Sequence, residues 1–262
     1  MGRLLSAQKA EGIILRKYFL RETSYILVVF TKEFGKVQGT IKGVRSPYPQ
    51  FAGNFEIFAK CELLFYKKNK RPLDLITQCQ LMDFFLPARK DIERLTYANY
   101  FIELVNVVTA DYDANPVLYK TLSESLSNLR EDLSAKRTCR IFELKFLQAL
   151  GLSPEMGRCV NCGIEGQGKV FFRAASGSII CESCGGGLFD DVPISKGTIN
   201  FIKKIQETDI SKTQHIKVSR EVGEETENVL KKFLKHHINY PLKSLKFLEE
   251  LGTMRQWTKT YS

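Results

Sequence analysis

The chain of 262 residues is 44% hydrophobic and 26% charged, enough apolar material for one large or two to three small globular domains. Its longest apolar runs, such as Tyr25 to Phe30, are far shorter than the ~20 residues of a membrane-spanning helix. Lys and Arg exceed Asp and Glu by 39 to 29, a formal net charge of +10, which favours a polyanionic partner such as nucleic acid.

The excess is uneven, with 14 basic against 7 acidic residues in 1–85 and 25 against 22 beyond. The first third therefore carries the attractive field. Seven cysteines, four of them in two C-x-x-C pairs, do not make an extracellular disulfide framework, and the odd count leaves one thiol over. With no secretory progression in the first ten residues, a soluble, cytoplasmic protein in a reducing compartment is expected.

Residues 12–84 alternate with a period of two. Ile13 to Phe19 and Tyr25 to Phe30 are the first two strands. Val37, Gly39 and Ile41 alternate with Lys36, Gln38, Thr40 and Lys42; Ile57, Ala59, Cys61, Leu63 and Phe65 repeat the pattern, as do Leu73, Leu75, Thr77, Cys79 and Leu81. Five strands in some seventy residues fit a small OB-type barrel, with an SH3-like barrel as competitor. Gly43 to Asn54, with Pro47, Pro49 and Gly53, is a projecting loop.

After Pro87 the period becomes helical. Ile92, Leu95, Ala98, Ile102, Val105 and Val108 mark one helix. Asn115 and Pro116 cap a second, with Leu118, Leu122, Leu126 and Leu129 on one face. Ile141, Leu144, Leu147 and Leu150 mark a third, stopped by Gly151 and Pro154. Three consecutive helices imply a bundle, to which a helix capped by Ser219, with Val222, Val229, Leu230, Phe233 and Leu234, returns. The fold class is α+β, multidomain: a barrel over 1–85, a helical domain over 86–156 and 187–262, and a cysteine module inserted at 157–186.

In that module Cys159-Val-Asn-Cys162-Gly and Cys181-Glu-Ser-Cys184-Gly flank eighteen residues. Two residues between thiolates let both sulfurs of a turn face one ion, and the following glycine lets backbone amides approach the sulfur. Lys169 to Arg173 and Ser178 to Ile180 form a hairpin around Ser176-Gly177, as in a zinc ribbon. Four thiolates fill a tetrahedron, whereas catalytic zinc keeps a position open for water, so one structural zinc ion is expected. Gly163 to Lys169 matches the spacing of a phosphate-binding loop, but Val170 stands where a magnesium-ligating hydroxyl is needed and the run follows no strand.

The candidate nucleic-acid surface is basic and interleaved with aromatics: Arg16, Lys17, Arg21, Lys36, Lys42, Arg45, Lys67, Lys68, Lys70 and Arg71 for phosphate, and Tyr18, Phe19, Tyr48, Phe51 and Tyr66 for stacking on bases. Any one of these is as readily a solvated lysine or a core ring. The cluster carries the argument, and predicts salt-sensitive binding with little sequence preference.

Glu22-Thr23-Ser24, Phe30-Thr31-Lys32-Glu33-Phe34-Gly35-Lys36 and Lys42-Gly43-Val44-Arg45-Ser46 resemble the N-terminal barrel of the RecO family of bacterial recombination mediators. Phe142-Glu143-Leu144, Leu150-Gly151 and Pro241-Leu242-Lys243-Ser244 resemble its helical domain, in the family's order along nearly the whole chain. The resemblance implies a non-enzymatic protein that binds single- and double-stranded DNA, anneals complementary strands and, with RecR, helps load RecA onto DNA coated by single-strand-binding protein. In some relatives the acidic tail of single-strand-binding protein docks on the helical domain, and the matching stretch nominates Arg140 as a carboxylate partner. Some members lack the cysteines, so the zinc would support the module and not be the working centre.

Two other readings compete. A zinc-dependent nucleobase deaminase needs an open metal position and a His-x-Glu partner; none of His215, His236 and His237 is followed two positions later by Glu. A zinc-ribbon regulator would read duplex sequence, with a large affinity ratio between one operator and random DNA.

Overall fold

The computed structural model describes residues 6–44, 55–67, 73–165, 168–188, 190–238, 240–248 and 250. The chain divides into two compact units, Met1–Arg130 with Leu242–Ser262, and Glu131–Pro241. No helix among the described residues is long and apolar enough to cross a membrane.

The first unit is built on a closed five-stranded barrel, in the order β1 (Ala7–Leu20), β2 (Ser24–Thr31), β3 (Gly35–Ile41), β5 (Asp74–Asp83), β4 (Lys60–Tyr66). Strand β1 is long because it pairs twice, Ala7 to Ile13 against β4 and Gly12 to Leu20 against β2. Its first half hides from a period-two reading because Ala10 and Gly12, not bulky residues, alternate with Lys9 and Glu11. A register shift between Ile14 and Arg16 makes a bulge at Leu15. The barrel interior holds Ile14, Leu27, Val29, Val37, Ile41, Phe65 and their neighbours, the inward set that the alternation in β3 and β4 announces.

Strand β3 pairs with β5 in parallel over Gly39–Ile41 and Asp74–Ile76. Below it, the segment at Asp111 and Tyr112 lies along β3, with Lys36 bridged to Asp111 and the Tyr112 amide donating to the Lys36 carbonyl. Gly35 has φ +68° and a Cβ there would strike the Asp113 backbone, so only glycine admits this strap.

Helices α1 (Leu86–Arg89), α2 (Ile92–Val108) and α3 (Pro116–Ser127) complete this stretch of the unit. Asp91 and Asn115 accept from the amides of Arg94 and Leu118, satisfying end groups that the helices leave unpaired. Phe30 on the outer face of β2 meets Tyr119 of α3 at 6.2 Å between ring centroids. Glu103 on α2 accepts from the amides of Lys243 and Ser244, where residues 243–248 are helical.

The second unit contains α4 (Ala135–Ala149), β6 (Val170–Arg173), β7 (Ser178–Cys181), β8 (Asp191–Ile194), α5 (Lys196–Glu207) and α6 (Arg220–His237). The expected helix capped by Ser219 is α6, whose Val222 amide bonds to that hydroxyl. Helices α4, α5 and α6 pack on one another. The three consecutive predicted helices thus fall in different units, because the unit boundary lies between α3 and α4. The sheet order is β7-β6-β8, so the hairpin gains a third strand after the second cysteine pair. Phe172 on β6 meets Phe233 of α6 edge-on at 5.6 Å, which joins the sheet to the helices.

Candidate metal centre and nucleic-acid interface

The hairpin β6–β7 forms with Val170 opposite Cys181 and Arg173 opposite Ser178. This pairing places Cys181 at the end of β7, where a short 3-10 turn, Glu182–Cys184, carries the second pair. The first pair is fastened to the same strand, since the Val160 amide donates to the Ile179 carbonyl and the Cys159 amide to that of Ile164. Gly163 and Gly185 both adopt left-handed backbone, at φ 70° and 87°, the conformation that the residue after each C-x-x-C turn requires.

The four sulfurs lie within 4.8 Å of one another, and Cys162 and Cys181 are 3.9 Å apart. Metal–sulfur bonds of about 2.3 Å in a tetrahedron set sulfurs about 3.8 Å apart. The donor set therefore fits a four-thiolate metal ion. Amides of Cys162, Cys181 and Asn161 pull the Cys159 thiol down to about 6, and the Ser183 hydroxyl, 3.1 Å away, lowers that of Cys181. Cys184, hydrogen-bonded to Cys181 and Cys162, is pushed up to about 12. Because a metal binds thiolates, its binding would release the remaining thiol protons. Asn161, whose amide reaches the Cys184 carbonyl at 3.2 Å, and Ser183 are supports that sequence reading missed, although both sit between paired cysteines.

The phosphate-loop spacing leads nowhere structurally: Val170 opens a strand, not a helix. Cys61, Cys79 and Cys139 lie outside the cluster, the first two on barrel strands and the third in α4.

The barrel separates the predicted cations. Strands β1, β3 and β5 run one way and β2 and β4 the other. The β1–β2 turn with Arg21 and the exit from β3 with Lys42 therefore share one end of the strands, and the exit from β4 with Lys67 is at the other. Arg21 and Lys42 are exposed. Arg45, Lys68, Lys70 and Arg71, like Tyr48 and Phe51, lie outside the described residues.

Four of the expected side chains have partners within the protein. Lys36 does not offer its charge to solvent: its ammonium donates to the carbonyls of Asn106 and Thr109, at 3.0 and 2.6 Å, neutralising the C-terminal end of α2, and burial lowers its pKa. Lys17 pairs with Glu56 at 2.9 Å and lies over the Tyr25 ring. Arg16 donates to the Tyr18 hydroxyl at 3.2 Å.

Arg140 is the fourth. Its side chain is 13% exposed, and its guanidinium holds Glu143 at 2.6 Å and Glu227 at 3.0 Å. It is a buried ion-pair centre in the second unit, and its Nε has no hydrogen-bond partner among the described residues. The nomination came from the family resemblance of the stretch that begins at Arg140; the second carboxylate on it, Glu227, is contributed by a different helix.

Lys67 is intermediate. It is exposed, and its ammonium stands 3.7 Å from the centre of the Tyr112 ring, a cation–π contact. Tyr112 in turn donates to Asp74, and burial and that carboxylate together raise its pKa. Among the aromatics, Tyr18 is 46% and Phe19 71% exposed, whereas Tyr66 is half-buried.

The comparisons with known proteins agree with this architecture. The family model described as Recombination protein O N terminal matches residues 5–85, and Recombination protein O C terminal matches 89–246. DNA repair protein RecO of Moorella thermoacetica is 28% identical over 246 residues, 93% of this chain and 91% of that one. Its counterpart in Alkaliphilus metalliredigens is 30% identical over 232 residues, 88% and 94% of the two chains. That of Syntrophus aciditrophicus is 29% identical over 253 residues, 95% and 98%. A closed N-terminal barrel, a helical unit carrying a four-cysteine cluster and family matches covering both place this chain in the recombination protein O (RecO) family of DNA repair proteins.

Proposed function

We propose that the protein is a cytoplasmic, nucleoid-associated recombination mediator that binds single- and double-stranded DNA with little sequence preference and anneals complementary strands. With RecR it would help load RecA onto DNA coated by single-strand-binding protein. Annealing breaks no covalent bond, so the chain needs no catalytic residue. The observation that carries the reading is the exposed end of the barrel, where Arg21 and Lys42 form no ion pair among the described residues and stand beside exposed Phe19 and Tyr18. Such a surface neutralises phosphate without reading base edges.

In this reading Arg45 adds to that basic surface, Lys67, with Lys68, Lys70 and Arg71 after it in the chain, adds phosphate contacts away from that end, Arg16 stays a phosphate candidate, and Lys17 and Lys36 act structurally. The working division is a barrel over 1–85, a helical domain over 86–156 and 187–262, and a module at 157–186. Cys159, Cys162, Cys181 and Cys184 hold one zinc ion, which supplies folding energy to the module and no reaction chemistry. The acidic tail of single-strand-binding protein would dock on the helical domain, with Arg140 as the nominated carboxylate partner.

The test is annealing of complementary strands covered by single-strand-binding protein. The wild-type chain should accelerate it, and Arg21→Ala with Lys42→Ala should slow it. Acceleration unaffected by the double substitution would remove the barrel end from the reaction. A large preference for one duplex sequence would favour the regulator reading instead.

A further inference from the structure

The bulge at Leu15 has a chemical consequence at the end of β1. Directly paired residues of an antiparallel ladder point to the same face, and β2 turns Leu27 and Val29 into the barrel, with Tyr25 packed against that core. Before the bulge their partner is Ile14, opposite Val29; after it the partners are Lys17, opposite Leu27, and Phe19, opposite Tyr25. The extra residue thus shifts the parity of β1, so that Phe19 falls in the inward row and Tyr18 in the outward one.

That row has run past the core by then. Phe19 meets Tyr25 at 5.5 Å between centroids, and Tyr25 meets Phe55 edge-on at 6.2 Å. Phe55 is buried, Tyr25 half-buried and Phe19 71% exposed. An aromatic column therefore rises out of the barrel and ends in a ring presented to solvent. Each ring braces the next, so the outermost is held in place at little further entropic cost.

Two cations near it, Arg21 and Lys42, form no ion pair among the described residues, although exposed Glu22 follows Arg21. Arg21 follows Phe19 by two residues and is held at φ 56° in the turn. Lys42 lies one residue past Ile41, which pairs with Tyr25 on the other side of β2. A flat apolar ring with flanking cations matches a polyanion that carries unstacked rings, namely single-stranded nucleic acid. A duplex offers the same phosphates but keeps its ring faces stacked.

We propose that Phe19 is a base-stacking platform that takes one unpaired base at the mouth of the barrel, with Arg21 and Lys42 holding the flanking phosphates. This rests on the reading of the barrel as a DNA-binding surface, and adds to it a mechanism that prefers unpaired strands. Because the contact is to a ring face, it is blind to sequence.

The experiment compares three probes of equal length at one salt concentration: a base-bearing single strand, an abasic single strand and a duplex. Wild-type protein should bind the base-bearing strand about tenfold more tightly than the abasic one, the size expected of one stacked base. Phe19→Ala should erase that preference and leave abasic binding unchanged; Phe19→Trp should retain it. Thermal melting checks that both variants fold, as the exposure of Phe19 leads one to expect. An undiminished preference in Phe19→Ala overturns the stacking role while leaving barrel binding intact. Wild-type protein that binds none of the probes overturns both. Loss of binding to anionic lipid vesicles in Phe19→Ala, with the base preference intact, would assign the ring to a membrane surface and sink the proposal.

Discussion

The barrel and the cysteine module hold themselves together by different means. Among the described residues the barrel buries Ile14, Leu27, Val37, Ile41 and Phe65, with others, each of these large side chains contributing on the order of 1.5–3 kcal/mol by leaving water. Around the cysteines the buried cluster is Cys159, Ile180 and Cys181, with Phe171 and Cys184 half-covered against it. Ordering backbone costs about 1–2 kcal/mol per residue, more than this local cluster offsets for the two cysteine turns. The hairpin behind the cysteines is held to α6 through buried Phe172, while the cysteine turns themselves would depend on the metal proposed for them.

Removing the metal is the sharpest way to test that contrast. A chelator should withdraw about 10 kcal/mol or more of folding energy from the module and none from the barrel. Hydrogen exchange reads both at once: the amides of Cys159, Val160 and Gly186, which bond to Ile164, Ile179 and Cys181, should lose protection, while those of Leu27 and Val29 keep it. Cys162→Ser should lower metal content measured by mass spectrometry. Equal loss of protection in the barrel would end the comparison.

The reverse experiment attacks the cores. Phe65→Ala, at a fully buried position, should cost the barrel about 3–5 kcal/mol without changing metal content. Arg140→Ala should destabilise the second unit by about 3 kcal/mol, because Glu143, only 3% exposed, would keep a buried charge without its counter-ion. Denaturant unfolding monitored separately in each unit distinguishes these losses. An Arg140→Ala protein of unchanged stability would leave that residue only its nominated role as a partner site.

What the sequence reveals follows the same division. Barrel strands and cysteines are legible because their signals are local: β3 and β4 alternate residue by residue, and two thiols per turn state their own geometry. The fates of Lys36 and Arg140 are not local. The carbonyl that holds Lys36 is 70 residues away, and the second carboxylate on Arg140 comes from α6. A cation in a sequence shows its charge but not its partner. Strand β8 and helix α5 were also missed: β8 is only four residues with Pro193 inside, and α5 has a Gly197 in its first turn, both poor local signals.

A smaller effect joins the two parts of the module itself. Arg173 grips Asp191 through two hydrogen bonds of 2.9 Å, tying β6 to β8 after the second cysteine pair. The guanidinium, with amides of Leu188 and Gly187, holds the Asp191 carboxyl below its ordinary value. A carboxylate with a lowered folded pKa stabilises fully above its unfolded value of about 3.9, and the contribution disappears as pH falls through the lower folded pKa. Arg173→Ala should cost about 2 kcal/mol at pH 7, less than a wholly buried pair because Arg173 is partly exposed, and should flatten this part of the acid limb in thermal melts. An unchanged acid limb would show that the pair is incidental to the module.

The smallest expected change in stability accompanies the most informative change in binding. Arg21→Ala and Lys42→Ala remove exposed charges with no ion pair among the described residues, so each should alter stability by less than about 0.5 kcal/mol. Each phosphate that is no longer neutralised should reduce the slope of log affinity against log salt by about 0.7 on a single strand, so the slope of the double variant should fall by about 1.4. Lys36→Ala is the control: it frees the carbonyls of Asn106 and Thr109 and should cost about 1 kcal/mol with the salt slope unchanged. Affinity measured at four or five salt concentrations, beside melting curves, separates the cations that meet DNA from those that build the barrel. A Lys36→Ala protein with the reduced slope and wild-type stability would reverse that assignment, because it would show that the ammonium leaves the α2 terminus for phosphate.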